Sequence, residues 1–85
     1  YSISKNKIEL TPDIDVDAIL EAVKVKYETE KITDIDGVKI DFKDSWVHLR
    51  KSNTEPIIRI VAEAHTMEEA EVLVTEIKEV IKSLA

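Results

Sequence analysis

The spacing of apolar residues predicts two helices, one in the first half of the chain and one at its end. From residue 67 to residue 84 the apolar positions recur every three or four residues, which is helical spacing. Thr66 before this segment and Glu69 within it match a capping box, which marks a helix start. The same spacing after the carboxylates at 13, 15 and 17 predicts a first helix at about residues 15–29, because early carboxylates suit the positive end of the helix dipole.

An alternation of apolar and polar residues predicts the strands. Four segments show it: residues 3–10, 38–42, 46–50 and 57–64. The segment 57–64 is apolar on much of both faces, so we expect it to lie inside the sheet. Residues 32–35 are expected to be extended, and Asp36-Gly37 to form a turn or bulge. The order β-α-β-β-β-α predicts an α+β fold, an antiparallel four-stranded sheet with both helices on one face.

Composition narrows the classes of function. The 85 residues suffice for one domain, and the absence of cysteine excludes disulfides and thiolate zinc sites. No apolar run approaches the about 20 residues of a membrane span. The net charge of −6 weighs against nucleic-acid binding, which needs a basic face. The start at Tyr1 without a signal-like segment suggests a domain cut from a longer protein.

The most informative segment is the polar run Arg50-Lys51-Ser52-Asn53-Thr54-Glu55-Pro56 between two predicted strands. An arginine fork fits phosphate, and hydroxyl, amide and backbone N–H groups add donors. Residues 50–59 hold three cations and one anion, a net charge of +2 on an acidic chain. That pattern suits a small anionic ligand. The same residues also suit a plain hairpin connection, since Ser, Asn and Thr are common in turns.

Arg50-x-Ser52-Asn53-Thr54-Glu55-Pro56 also resembles the phosphate-binding loop in the C-terminal domain of the α-D-phosphohexomutases. That family includes phosphoglucomutase, phosphomannomutase and phosphoglucosamine mutase. The flanks agree: Asp36-Gly37-Val38 starts the preceding strand, Trp46-Val47 precedes the loop, and Ile58-Arg59-Ile60 follows it. The resemblance covers about residues 36–84, and earlier in the chain it rests on the order of elements. It implies an architecture similar to that of the TATA-box-binding protein.

The resemblance implies a role for each residue of the loop. The substrate-phosphate ligands that it implies are Arg50, Ser52, Asn53 and Thr54. Glu55 and Pro56 are expected to shape the loop, and Lys51 to alternate away from Arg50 into solvent. For Arg59 two roles stay open, a phosphate ligand or a strand cation paired with an acid. Asn53 favours the phosphomannomutase and phosphoglucomutase types, because phosphoglucosamine mutases more often have glycine there.

The resemblance also implies the reaction of a longer, four-domain enzyme in the cytoplasm, of which residues 1–85 would be the fourth domain. That enzyme would interconvert hexose 1-phosphate and hexose 6-phosphate through a phosphoserine and a bisphosphorylated sugar. We expect no catalytic residue and no cofactor in this domain, since the phosphoserine and its Mg²⁺ belong to the other domains. The expected partners are a hexose phosphate and those domains, with neither nucleic acid nor membrane.

The sequence fits metal binding less well and leaves one main alternative function. The aspartates of residues 13–17 do not form a calcium loop, because Ala18 and Lys24 stand where Gly and Glu are needed. They lack the interleaved glycines of the family's magnesium loop, so a helix cap is the better interpretation. His48 and His65 are isolated, which favours structural or surface roles. The main alternative is a stand-alone regulatory or protein-interaction α+β module; an ACT-like version would need a strand after the last helix.

Overall fold

The computed structural model describes residues 1–33, 37–52 and 55–84. In chain order its elements are β1 (Ser2–Glu9), α1 (Val16–Lys26), β2 (Lys31–Thr33), β3 (Val38–Asp41), β4 (Trp46–Lys51), β5 (Ile57–Ala64) and α2 (Met67–Leu84). The strands form one antiparallel sheet in the order β1-β5-β4-β3-β2. The strand β5 therefore lies between β1 and β4, which confirms its predicted interior position.

The predicted α+β class is confirmed, but the sheet has five strands rather than the four expected. The additional strand is β2, which pairs with β3 so that Ile32 lies opposite Ile40. The expectation that residues 32–35 are extended is confirmed for Ile32 and Thr33, the part that the structure describes. Three residues are too few to show a period-two pattern, so the sequence did not indicate that this extended segment pairs as an edge strand. Residues 34–36, which include the first half of the predicted turn, lie outside the described residues.

Both helices cover the same face of the sheet, which we call the inner face. Alternate strand residues point toward it and form the core with apolar residues of α1 and α2. The largest fully buried side chains are those of Ile40, Leu49, Ile58, Ile60, Ile77, Ile81, Val23 and Val47. In the part of the chain that the structure describes, the opposite, outer face carries no helix. Residues that are directly opposite in the strand register share a face, so the register fixes which side chains meet there.

Local hydrogen bonds explain where the helices begin. The Asp15 carboxylate accepts from the Ala18 backbone N–H at 3.1 Å, and the Thr66 hydroxyl accepts from the Glu69 N–H at 3.1 Å. These are N-cap bonds, so the interpretation of the aspartate run as a helix cap is confirmed. A hydrogen bond from the Thr11 side chain lowers the pKa of Asp13 below its usual value. Among the described residues, no helix is long and apolar enough to cross a membrane.

Candidate functional site

The candidate site lies where β4 ends and β5 begins. Arg50 is the next-to-last residue of β4, and Ser52 follows the strand. The Ser52 N–H donates to the Ile57 carbonyl at 3.1 Å, and the Ile57 N–H donates to the Glu55 carbonyl at 2.8 Å. These bonds close the base of the connection. Asn53 and Thr54, the other two residues implied as phosphate ligands, lie outside the described residues.

A third strand supports the far side of the connection. The Leu10 N–H, just after β1, donates to the Pro56 carbonyl at 2.7 Å. Proline has no N–H, but its carbonyl still accepts, so Pro56 links the loop to β1. Glu55 is exposed at the surface of the loop. The described ends of the connection are thus bonded to β5 and to the residue that follows β1.

The face on which Arg50 lies follows the predicted alternation. Val47 and Leu49 are buried on the inner face, so Trp46, His48 and Arg50 lie on the outer face. Arg50 is exposed there. We therefore place the candidate site on the outer face of the sheet, at the end next to the loop.

Arg59 is the residue for which the sequence left two roles open. It is the Cα partner of Arg50 across β4 and β5, so both arginines lie on the outer face. Arg59 is exposed, and no ion pair joins it to an acid among the residues that the structure describes. The described residues therefore do not support the role of a strand cation paired with an acid, and the role of a phosphate ligand stays open. The two arginines are thus directly opposite each other on neighbouring strands, close to the polar loop.

Lys51 has a different environment from its neighbour. It alternates away from Arg50, as predicted, but it lies on the inner face as the partner of Ile58 and forms an ion pair there rather than being surrounded by solvent alone. Its ammonium lies 2.9 Å and 3.0 Å from the two carboxylate oxygens of Asp17, at the start of α1. Both side chains are substantially exposed, so the pair adds little stability. Lys51 is thus directed at α1 rather than at the candidate ligand.

Gly37 allows the backbone before β3 to lie close to the backbone of β4 at Arg50. It has φ +88°, the left-handed region that favours glycine. A Cβ atom at this position would lie 2.4 Å from the Leu49 carbonyl oxygen and 3.3 Å from the Arg50 Cα. Only glycine allows this close approach, so the chain before β3 can press against β4 where Arg50 projects.

The remaining sequence candidates have structural contacts. The Trp46 indole N–H donates to a Glu63 carboxylate oxygen at 2.8 Å, and the Lys39 ammonium lies 5.0 Å from the ring centroid. Glu63 is on β5 and Lys39 on β3, so Trp46 contacts both strands that flank β4. The His65 ring stacks on Tyr1 with centroids 4.6 Å apart. Within the described ranges, no three His, Cys, Asp or Glu residues cluster in a way that could hold a metal ion.

A family model and the named relatives of this chain indicate the same family. The family model described as "Phosphoglucomutase/phosphomannomutase, C-terminal domain" matches residues 6–80. The chain is 44% identical over 84 residues to the phosphoglucosamine/phosphogalactosamine mutase of Sulfurisphaera tokodaii, with 96% of this chain and 18% of that protein covered. It is 36% identical over 85 residues to a probable phosphoglucosamine mutase of Pyrococcus abyssi, with 96% and 19% covered.

A third relative extends the range of names. The phosphomannomutase of Methanocaldococcus jannaschii is 38% identical over 66 residues, with 78% of this chain and 15% of that protein covered. The chain thus spans less than a fifth of the length of each of these three relatives. Since the family model covers most of the chain, this protein belongs to the family of phosphoglucomutase/phosphomannomutase C-terminal domains.

Proposed function

We propose that this chain is the substrate-phosphate-binding domain of a phosphohexomutase. The parent enzyme would be a longer, cytoplasmic protein that interconverts hexose 1-phosphate and hexose 6-phosphate, with this chain as its fourth domain. The observation that supports this best is the pair Arg50 and Arg59, placed side by side on the outer face next to the loop. Two arginine forks directly opposite each other on neighbouring strands are a favourable arrangement for binding a dianion.

The residues of this chain would act by binding and positioning. Arg50 would donate two parallel N–H bonds to the phosphate, and Arg59 would approach it from the neighbouring strand. Ser52 would add its hydroxyl, with Asn53 and Thr54 as further donors. Glu55 and Pro56 would set the course of the loop. Such a site holds the phosphate that is not being transferred, so its contribution is orientation and charge neutralisation rather than proton transfer.

Simple energetics limit what the domain can do alone. Hydrogen bonds to charged groups contribute about 1.5–3 kcal/mol each, so three of them give roughly 4–9 kcal/mol. Association costs on the order of 4–15 kcal/mol. We therefore expect the domain by itself to bind a sugar phosphate at millimolar strength or weaker. Tight binding would require groups from the rest of the parent enzyme, which would close around the substrate.

The chemical step is assigned to the rest of the parent enzyme. A phosphoserine there would transfer the phosphoryl group and Mg²⁺ would stabilise the charge on it; both lie outside this chain in the proposal. The names of the relatives do not favour the mannose and glucose types that Asn53 suggested, because two of the three relatives described above are named phosphoglucosamine mutases. The proposed substrates therefore include hexosamine phosphates.

The test is a pair of substitutions in the full-length parent enzyme. Arg50→Ala should lower kcat/KM by about 10- to 150-fold, the loss expected for one hydrogen bond to a charged group. Lys51→Ala is the matched control, because it removes the same charge from the next residue but on the inner face, and its kcat/KM should stay within about twofold. Circular dichroism would establish that both variants fold. Unchanged kinetics in Arg50→Ala would overturn the assignment.

An amide NMR titration of the 85-residue chain with glucose 1-phosphate separates this function from the stand-alone interaction module. Saturable shifts at Arg50, Ser52 and their neighbours in the loop would support the phosphate site. Shifts spread over a helix face, or no shifts at high millimolar ligand, would favour the interaction module instead.

A further inference from the structure

Three cationic residues lie in one row across the outer face of the sheet. Lys7 on β1 is the Cα partner of Arg59 on β5, and Arg59 is the Cα partner of Arg50 on β4. Directly opposite residues in an antiparallel pair have Cα atoms about 4.5–5.5 Å apart and point to the same face. The row therefore crosses three strands over about 10 Å.

This row is not a by-product of composition. The chain as a whole has a net charge of −6, and like charges directly opposite each other destabilise a sheet. Lys7 does have an acidic neighbour, since its ammonium lies 3.8 Å from a Glu9 carboxylate oxygen. Both side chains are more than half exposed, so this contact holds Lys7 only weakly. An anion bound between Lys7 and Arg59 would convert the repulsion between these two cations into attraction.

The row ends on β1, a strand that is connected to the loop. The chain just after β1 is bonded to the loop, through the Leu10 N–H and the Pro56 carbonyl at 2.7 Å. Lys7 therefore projects from a strand that is fixed to the phosphate-binding loop. The flexible four-carbon stem of a lysine can carry its ammonium toward a ligand that lies over Arg59, the middle residue of the row.

We propose that Lys7 is a third cation of the phosphate site, which binds the side of the phosphate that faces β1. This inference rests on the proposed function. In the complete site, the arginines supply directional forks and Lys7 supplies a point charge that neutralises the remaining negative charge of a phosphate monoester. The site would then span β4, β5 and β1 rather than the loop alone.

The test measures the affinity of the 85-residue chain for inorganic phosphate by amide NMR, at constant ionic strength. Lys7→Gln should weaken binding about two- to fivefold, the size expected for one exposed charge pair, and Lys7→Arg should restore most of the affinity. Lys5→Gln is the matched control. Lys5 lies on the same strand and face, but its partner on β5 is Val61 rather than a cation, so its removal should leave affinity nearly unchanged.

A second measurement separates binding from a structural role. Without phosphate, Lys7→Gln should not lower Tm, because it removes repulsion from Arg59. A lower Tm together with an unchanged affinity would show that Lys7 is structural and would overturn the inference. Equal weakening by Lys5→Gln would also overturn it, because the effect would then be general electrostatics. If the unaltered chain binds phosphate at Arg50 and Ser52 but Lys7→Gln binds equally well, only this inference fails; if the unaltered chain gives no saturable shifts there, the proposed function fails with it.

Discussion

Replacing Gly37 with alanine tests how closely the chain before β3 is held against β4. Two costs add. A residue with a Cβ atom loses about 1–2 kcal/mol in the left-handed region, where Gly37 has φ +88°. The new Cβ atom would also lie 2.4 Å from the Leu49 carbonyl oxygen, a backbone atom that cannot rotate away as a side chain can. Overpacking of this kind costs about 1–3 kcal/mol.

The expected loss is therefore about 2–5 kcal/mol in the free energy of unfolding. Folded domains of this length have roughly 4–13 kcal/mol in total, so the loss is a large part of the stability. The corresponding drop in Tm is about 8 °C or more. Because the same Cβ atom would lie 3.3 Å from the Arg50 Cα, any backbone shift that relieves the contact also displaces Arg50, and phosphate binding should weaken in the folded fraction.

Urea and thermal unfolding followed by circular dichroism would measure the effect. Lys43→Ala, an exposed change in the β3–β4 connection, is the control and should stay within about 0.5 kcal/mol of the unaltered chain. Gly37→Asn separates the two costs, since asparagine tolerates the left-handed region but carries the same Cβ atom. If alanine costs less than about 1 kcal/mol, the close approach does not constrain the chain as argued. If asparagine restores most of the stability, the dihedral angle dominates and the Leu49 contact does not.

Three further predictions concern other parts of the fold. Thr66→Ala should cost about 0.5–2 kcal/mol through loss of the N-cap bond, whereas Thr75→Ala, exposed in the middle of the same helix, should cost much less; urea unfolding compares them. A double-mutant cycle of Trp46→Phe and Glu63→Ala should give a coupling on the order of 1 kcal/mol, because each substitution removes the hydrogen bond from the indole N–H to the carboxylate; a coupling near zero would contradict this. Burial of the ring, followed by the charge of a neighbouring glutamate, raises the pKa of Tyr27 above 10.0. The folded state then holds the phenol proton more tightly, so its stabilising contribution is complete below pH 10 and is lost as pH rises through the folded-state pKa. Above pH 10, the free energy of unfolding of Tyr27→Phe should accordingly fall less steeply with pH than that of the unaltered chain, as measured by urea unfolding at several pH values.

The sequence was most informative where a pattern was long. The predicted bounds of the segments 57–64 and 67–84 agree with β5 and α2, because eight and eighteen residues allow a clear period. The first helix ends earlier than predicted, at Lys26. Its end is set by contacts in the folded state: the Tyr27 N–H caps the helix, and the Tyr27 ring packs edge-on against Phe42 at 5.9 Å. No glycine or proline marks that position in the sequence.

The site was predictable in part for the same reason. Alternation alone put Arg50 on one face and Lys51 on the other, since this needs only the local period of a strand. The position of Arg59 opposite Arg50 depends on the register between two strands, and no local pattern in the sequence sets that register. The row through Lys7 depends on a third strand some fifty positions earlier in the chain, which no local pattern in the sequence reveals.

The place of β1 in the sheet has a consequence for how the protein is made. Its partner is β5, which lies about fifty residues later, so the backbone donors of β1 have no strand to bind until β5 has been synthesised. The strands β2 to β5 follow one another as a simple meander and close by short-range pairing. The nascent chain must therefore carry β1 unpaired while the meander exposes one bare edge, and the bond from Leu10 to Pro56 forms only when β1 docks on that edge. Docking of β1 therefore completes the sheet and, in the same step, the surface that we propose to bind phosphate.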